Sequence, residues 1–401
     1  MLKSSSRRYR IVLTAVAAIV WLCCEFLDNS RLSQAQTATP AKRFRPSPTL
    51  PLTKFYDTPR PLPPGKAGEL IRAESARQYS LPFELSAWRI LYHSRTAKGE
   101  DVAVSAVVVV PDGKPPGGGW PTIAWAHDFR GATRQCAPSL MKNLGVGPLL
   151  AMYANLGYAV VVTDYAGLGA DSGTPVVDMR SNALDVIYSV AAARAAVKEI
   201  GPKWIAIGTF QGAMAAVGVA ESEVSDPNYL GSIATSGLSD AADAYRRFAV
   251  RSSNRMLVLA STVATLYPGF LVSDVLNDKA NATYPRVTQV CGDESDPGFT
   301  NDMLKSGWEN NSLVKEFLRA NTPGQNAGHG PLLVISGETD SAIPADMTGK
   351  TVARMCKQGD RVVFLKYPNL DASGVMGASA ADQISWIKAR FAGHAAPSNC
   401  P

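Results

Sequence analysis

The sequence predicts an α/β protein with a largely parallel, doubly wound sheet and a helical cap insertion. Apolar runs of strand length alternate with helical patterns from about residue 85 onwards, which is typical of this fold class. Several runs are continuously apolar, as expected for strands that are covered on both faces. The predicted strands are Trp88–Tyr92, Ala103–Val110, Thr122–Ala126, Ala159–Thr163, Trp204–Ile207, Gly231–Ala234, Leu332–Ile335 and Val362–Leu365.

Two helical patterns and one long interruption complete this organisation. Asn182–Lys198 and Ala380–Phe391 carry apolar residues at helical spacing. Asp240–Gly324 separates two predicted strands by far more than the roughly dozen residues of an ordinary crossover. It contains helix-like pieces at Arg251–Leu266 and Asn311–Ala320. We therefore interpret 240–324 as a helical cap over the carboxyl edge of the sheet, where open α/β folds bind their ligands.

The chain begins with two segments that we place outside the folded core. Basic residues precede an apolar run at Ile11–Cys24, and a small-residue cleavage site follows it, so residues 1–35 are predicted to be a signal peptide. The run is shorter than the roughly 20 residues that span a bilayer, and an uncleaved anchor is the alternative. Residues 36–64 are rich in proline and basic residues, which predicts a linker or arm. The predicted core comprises 65–239 and 325–401.

The net charge of +6 comes from the first part of the chain. The first 66 residues hold eleven Lys and Arg against three Asp and Glu, which leaves residues 67–401 at about −2. A globular part that is not basic gives no support for nucleic-acid binding. With four histidines and widely spaced cysteines, we expect neither a metal nor a cofactor.

Cysteine usage agrees with export to an oxidising compartment. Two of the six cysteines lie in the predicted signal peptide, so four remain in the mature chain. Of the three possible pairings, we favour Cys136 with Cys291 and Cys356 with Cys400. Free buried thiols are the alternative. The protein is predicted to be periplasmic or extracellular.

The segment after the predicted strand Trp204–Ile207 has the pattern of a nucleophile elbow. Residues 208–212 read Gly-Thr-Phe-Gln-Gly and lead into a small-residue helix pattern. Gly-x-Ser-x-Gly in this context exposes the serine nucleophile of α/β-hydrolases. Phe210 occupies the serine position, and a phenyl ring cannot attack a carbonyl. Because a bulky residue is disfavoured at the positive φ of an elbow, we predict that packing enforces the turn, with the ring filling the former acyl pocket.

The triad of such enzymes runs Ser, then Asp or Glu, then His in chain order. Asp340 is the candidate acid, because it lies in an exposed turn after the predicted strand Leu332–Ile335. The base should follow the last predicted strand, within residues 367–375.

These features resemble the secretory lipase family of α/β-hydrolases, the lipase-A-like group with a large helical cap. The resemblance covers roughly residues 60–400. It implies an α/β-hydrolase fold and ester hydrolysis, with the family's nucleophile at Phe210 and its histidine at Ala372. Only Asp340 keeps its triad chemistry. The matching pieces are Trp125-Ala126-His127, Gln135–Leu140, Gly157–Val161, Thr163–Gly169, the elbow, Thr322-Pro323-Gly324 and Tyr367-Pro368.

The resemblance also implies where an oxyanion hole would form. The family's turn after Trp-Ala-His usually reads Gly-Thr-Thr-Gly, whereas here it is Asp128-Phe129-Arg130-Gly131. The resemblance implies one side of the hole in this turn, at Asp128 and Phe129, and the other donor would be the backbone N–H of Gln211. A carboxylate repels a developing oxyanion, and Arg130 is the charge available to compensate. Losing a nucleophile or its base costs on the order of 10⁶ in turnover, and losing both costs little more because they act as a unit.

The substitutions predict an exported, lipase-like pseudoenzyme that has lost ester hydrolysis and keeps a pocket for an apolar or acyl ligand. The alternative is an active lipase or carboxylesterase with an unconventional nucleophile or base. Ser236 and Ser239 are the candidate nucleophiles, whereas His127 is interpreted as structural. A third possibility is an envelope protein that binds through the basic arm 42–66. No membrane span is expected after cleavage of the signal peptide.

Overall fold

A nine-stranded sheet forms the centre of the described structure. The computed structural model describes residues 49–400 except 82–84, 175–176, 225, 252, 286–290 and 293–297, so the predicted signal peptide lies outside the described residues. The strands are β1 (Leu70–Ser75), β2 (Ser86–Arg95), β3 (Asp101–Val110), β4 (Trp120–Ala126), β5 (Ala159–Thr163), β6 (Ile200–Thr209), β7 (Tyr229–Thr235), β8 (Leu332–Gly337) and β9 (Val362–Tyr367). Their order in the sheet is β1-β2-β3-β5-β4-β6-β7-β8-β9.

Most of the sheet is parallel. The first three strands pair antiparallel, and β3 continues antiparallel to β5. From β5 to β9 every pairing is parallel. All eight predicted strands are present, most of them longer than predicted. No sequence pattern predicted β1, because this edge strand is half-buried to exposed and carries charged residues instead of an apolar run.

Helices cover both faces of the sheet. They are α1 (Gly147–Asn155), α2 (Met179–Ala196), α3 (Gln211–Ala220), α4 (Ala241–Val250), α5 (Arg255–Leu266), α6 (Ser312–Ala320), α7 (Ala345–Lys357), α8 (Gly374–Ala378) and α9 (Ala380–Phe391). Alternate residues of β6 show the two layers. Ile205 and Ile207 pack in one apolar cluster with α1 and α9, whereas Trp204 and Ala206 pack in another with α2 and α3. The predicted doubly wound α/β fold is confirmed.

The inserted segment has a small apolar core of its own. Helices α4, α5 and α6 bury a shared cluster, and Phe129 and Val177 pack against it from the main body. The side chains of Asp240 and Asn311 accept hydrogen bonds from N–H groups in the first turns of α4 and α6, which fixes where these helices begin. The helix-like pieces predicted here correspond to α5 and α6. The boundaries of the cap at 240 and 324 stay predictions.

Two disulfides stabilise this arrangement, and both predicted pairings are confirmed. Cys136 is bonded to Cys291 and Cys356 to Cys400. The first disulfide links the cap to the loop after β4. Beside it, the N–H of Gly292 donates to the carbonyl of Arg130 at 2.7 Å. The cap is therefore attached directly to the turn that follows β4.

The described end of the predicted N-terminal arm lies against the core. Tyr56 is fully buried, and its hydroxyl donates to Ser139 Oγ at 2.9 Å. Arg60 forms an ion pair with Asp171. In the part of the chain that the structure describes, no helix has the length and apolar character needed to cross a membrane.

Candidate functional site

The elbow is present between β6 and α3, with Phe210 at its apex. Phe210 has φ +52° and ψ −112°, in the region that bulky residues rarely adopt. Its N–H donates to the carbonyl of Thr235 at 3.2 Å, and its own carbonyl accepts from the N–H of Ala213 at 3.1 Å. The backbone therefore keeps the shape that would expose a nucleophile, although the side chain cannot serve as one.

Close backbone packing around the elbow enforces this shape. A Cβ on Gly208 would lie 1.9 Å from the carbonyl oxygen of Gly212. A Cβ on Gly212 would lie 2.0 Å from the carbonyl oxygen of Ala126, and one on Gly237 would lie 2.6 Å from Phe210 Cα. Contacts below 3.0 Å with backbone atoms cannot be relieved by a side-chain rotation. Phe210 therefore has the positive φ that the prediction requires, in a closely packed backbone environment.

Asp340 lies where a triad acid is expected, in the turn after β8. The expectation that the turn exposes Asp340 is wrong, because the residue is only 4% exposed. Its Oδ1 accepts from the N–H groups of Ala342 at 2.8 Å and Ile343 at 3.0 Å. Its Oδ2 is buried without a hydrogen-bond partner among the described residues. Burial raises the pKa of Asp340, and the nearby Asp371 carboxylate raises it further, whereas the two backbone hydrogen bonds lower it. In a catalytic triad, the acid bonds the histidine with a carboxylate oxygen, and Oδ2 of Asp340 has no such partner among the described residues.

The position expected for the histidine lies next to this turn. Ala372 is half-buried in the turn between β9 and α8. Two residues earlier, the carbonyl of Leu370 accepts from the N–H of Thr339 at 3.0 Å. The segment that carries Ala372 is thus bonded directly to the turn that carries Asp340. The predicted acid and base positions therefore lie on directly bonded segments, and Ala372 offers only a methyl group at the predicted base position.

The position expected for an oxyanion is taken by a side chain of the protein itself. Asp128 follows β4, and its Oδ1 accepts from the N–H of Phe129 at 2.6 Å and lies 3.4 Å from the N–H of Gln211. These two N–H groups are the donors that the resemblance implies for the oxyanion hole. A fixed carboxylate therefore occupies both donors, and its charge opposes the anion that ester hydrolysis creates.

Of the four histidines, His93 and His127 are buried, and the other two are exposed. His127 is 1% exposed, and its two ring nitrogens lie 2.6 Å from the carbonyl of Asp128 and 3.1 Å from that of Asp164. Burial lowers the pKa of His127 to about 4, so the ring is neutral at pH 7. His93 Nδ1 lies 3.0 Å from Asp101 Oδ1, near the turn of the β2–β3 hairpin.

The two candidate serines lack the features of a nucleophile. Ser236, next to the elbow, has φ +57° and is 1% exposed. Its Oγ has no hydrogen-bond partner among the described residues, and so no base activates it. Ser239 is equally buried.

A small cavity lies beside the elbow, under the cap. The space open to the centre of a water-sized sphere is about 10 Å³, which is room for about one such sphere. Arg130 and Gln211 line it together with Val177 and with Val258 of α5, whereas Phe210 is not among its lining residues. The expected filling of the pocket by the phenyl ring is therefore not found at this cavity. The sequence analysis missed Val258, because an apolar residue on an apolar helix carries no signal of a binding site.

Among the described residues, no group of three or more His, Cys, Asp and Glu side chains is arranged to hold a metal ion.

Together, the sheet, the elbow and the cap define an α/β-hydrolase of the lipase and esterase type. Residues 144–399 match the Secretory lipase family, which is more than half of the chain. The protein therefore belongs to the secretory lipase family, and the resemblance noted from its motifs is confirmed. No curated protein sequence matches the chain significantly.

Solved structures show the same fold. The chain is similar to Candida antarctica lipase A in its closed state, with a TM-score of 0.74 and 18% identity over 88% of this chain and 89% of that one. It is also similar to a ligand-bound form of LipA, a rice cell wall degrading esterase from Xanthomonas oryzae, with a TM-score of 0.63 and 19% identity over 79% and 95% of the two chains. At these identities, the similarity concerns the fold alone.

Proposed function

We propose that this protein is an exported pseudoenzyme of the secretory lipase family, which no longer hydrolyses esters through a triad and binds an apolar or acyl ligand under its cap. The observation that carries the proposal is the Asp128 carboxylate on both oxyanion-hole donors. Phe210 and Ala372 at the triad positions support it independently. Three separate requirements of ester hydrolysis are therefore unmet in one site.

The expected rate losses favour a complete loss of ester hydrolysis over slow hydrolysis. Removing a nucleophile or its base costs on the order of 10⁶ in turnover, and the residual catalysis of such sites comes from binding and the oxyanion hole. Blocking the hole removes a further factor of about 10²–10³. Asp340 has no histidine to orient, and the pairing of its Oδ1 with backbone N–H groups gives it a structural role.

Labelling with a fluorophosphonate tests the loss of the nucleophile. We expect no labelled serine in the natural protein, and labelling of residue 210 in the triple variant Asp128→Gly/Phe210→Ser/Ala372→His. Stoichiometric labelling of Ser236 or Ser239 in the natural protein would instead support an active hydrolase with a relocated nucleophile, and the proposal would be abandoned.

Ligand binding is tested with a compound that cannot be hydrolysed, such as 2-decanone, which keeps an acyl carbonyl and chain but has no ester bond. The substitution Val258→Trp fills the cavity beside the elbow and should weaken binding about tenfold or more, because an overfilled pocket excludes the chain. Val250→Trp is the matched control, since Val250 is 78% exposed at the end of α4. Equal affinities for the two variants would place the ligand elsewhere.

Export is proposed on the family membership, the two disulfides and the predicted signal peptide. Fractionation of the producing cells tests it, and a cytoplasmic, full-length chain with reduced cysteines would contradict it.

A further inference from the structure

One side of the cavity beside the elbow carries a charged side chain, and its chemistry suggests a class of ligand. The inference rests on the proposed function, because it concerns the same pocket. Most of the described lining residues are apolar, and Arg130 is the charged side chain among them. His127 also lines the cavity, but burial lowers its pKa to about 4, and so it is neutral at pH 7.

Arg130 is held in place but not fully paired. Its backbone carbonyl accepts from the N–H of Gly292, and its Nη2 lies 3.4 Å from the carbonyl of Gly145. Its Nε is buried with no hydrogen-bond partner among the described residues. A buried guanidinium N–H without a partner is costly, and a carboxylate is the group that matches a guanidinium best in charge and geometry.

Gln211 supplies an unpaired acceptor in the same cavity. Its Nε2 donates to Asn182 Oδ1 at 2.9 Å, which orients the amide. Its Oε1 is buried and has no partner among the described residues. A ligand that pairs with both side chains must therefore accept a hydrogen bond from Arg130 and donate one to Gln211.

We propose that this pocket binds an aliphatic hydroxycarboxylic acid, with its carboxylate on Arg130, its hydroxyl donating to Gln211 Oε1 and its chain under the cap. An ester lacks the charge that Arg130 requires, and an unsubstituted acid lacks the donor for Gln211. The chain has an apolar route, since Val177 both lines the cavity and packs against the apolar cluster of the cap. The cavity is much smaller than such a ligand, and so the proposal requires α5, which supplies Val258, to move outwards on binding.

Calorimetric titration of the natural protein at pH 7 tests this recognition with three matched ligands. We expect 2-hydroxyoctanoate to bind about tenfold or more tightly than its methyl ester, which removes the charge, and several-fold more tightly than octanoate, which removes the hydroxyl. Arg130→Gln should abolish the preference for the acid over the ester. Arg246→Gln, an equal charge change at an exposed position in α4, should preserve it.

The outcomes separate this inference from the proposed function. If the acid and its methyl ester bind equally, or if Arg130→Gln keeps the preference, recognition of a hydroxy acid is wrong while the acyl pocket stands. If no acid or ester binds at all, the proposed acyl-binding function fails as well. The ligand comparison in the natural protein decides the question even if the Arg130 variant does not fold.

Discussion

Substitution of Asp128 should restore most of an oxyanion hole, provided that the triad is restored first. In the natural protein, the N–H groups of Phe129 and Gln211 lie 2.6 Å and 3.4 Å from Asp128 Oδ1. In the Phe210→Ser/Ala372→His background, Asp128→Gly removes this carboxylate and frees both N–H groups. Glycine is the residue that the secretory lipase family usually has there. We expect kcat/KM to rise by about 10²–10³ over the double variant.

Two independent estimates give this magnitude. Removal of a single oxyanion-hole donor in other enzymes costs about 10²–10³ in turnover. Repulsion between two unit negative charges about 4 Å apart is roughly 4 kcal/mol at an effective dielectric constant of 20, which corresponds to a factor of about 10³. The structural blockage and the electrostatic repulsion thus predict a similar gain.

The assay is the hydrolysis of p-nitrophenyl esters of short and long acids. Asp112→Gly is the control, because Asp112 is an exposed carboxylate in the turn after β3, and this substitution should leave the double variant unchanged. If the double variant is already fast, and Asp128→Gly adds less than threefold, then the carboxylate does not block the hole and the reasoning is refuted.

Three further predictions concern the fold that surrounds the site. Gly212→Ala should lower the free energy of unfolding by more than ~3 kcal/mol, because the added Cβ would meet a backbone carbonyl. Gly377→Ala, in open space on α8, should be neutral or stabilising. Urea unfolding measures both. Burial raises the pKa of Asp185 to about 7, so its contribution to stability falls as the pH rises from about 4 to 7, by at most ~1.4 kcal/mol per pH unit, and Asp185→Asn should remove this part of the pH dependence. Replacing Cys136 and Cys291 by Ser opens a separation of 155 residues and should cost up to ~5 kcal/mol on the chain-entropy relation, measured by urea unfolding of the oxidised proteins.

Each of these expectations has a contrary result. Equal stability of the Gly212 and Gly377 variants would mean that the elbow is not tightly packed. An unchanged pH profile after Asp185→Asn would show that this carboxyl is ionised in the folded protein below pH 7. Loss of the disulfide without loss of stability would show that the link between the cap and the main body adds nothing to the folded state.

Sequence patterns predicted the sheet because its strands are covered on both faces and read as continuous apolar runs. The same argument explains why β1 was missed, since an exposed edge strand has no such run. The cap was predicted from the length of an interruption, and its two main helices from their apolar spacing. The elbow was predicted from two glycines at positions where any Cβ atom would clash with the backbone. Glycine alone was therefore enough to indicate the sharp turn.

The candidate site was predicted less completely, because side-chain contacts across the fold leave no local pattern. The sequence indicated a carboxylate near the oxyanion position, but not that Asp128 Oδ1 would take both donors. It indicated Asp340, but not the unpaired Oδ2. Arg130 Nε and Gln211 Oε1 are unpaired because the fold places no hydrogen-bond partner beside them among the described residues. The sequence alone does not show which side chains the fold brings together.

Turnover of p-nitrophenyl esters by the natural mature protein tests the central claim most directly. Loss of triad hydrolysis predicts no turnover above the uncatalysed rate for either short or long acyl chains, beside measurable turnover by the triple variant Asp128→Gly/Phe210→Ser/Ala372→His. Enzymatic turnover by the natural protein would contradict the claim, because Phe210 offers no nucleophile and the chain would then hydrolyse esters through a residue outside the triad positions.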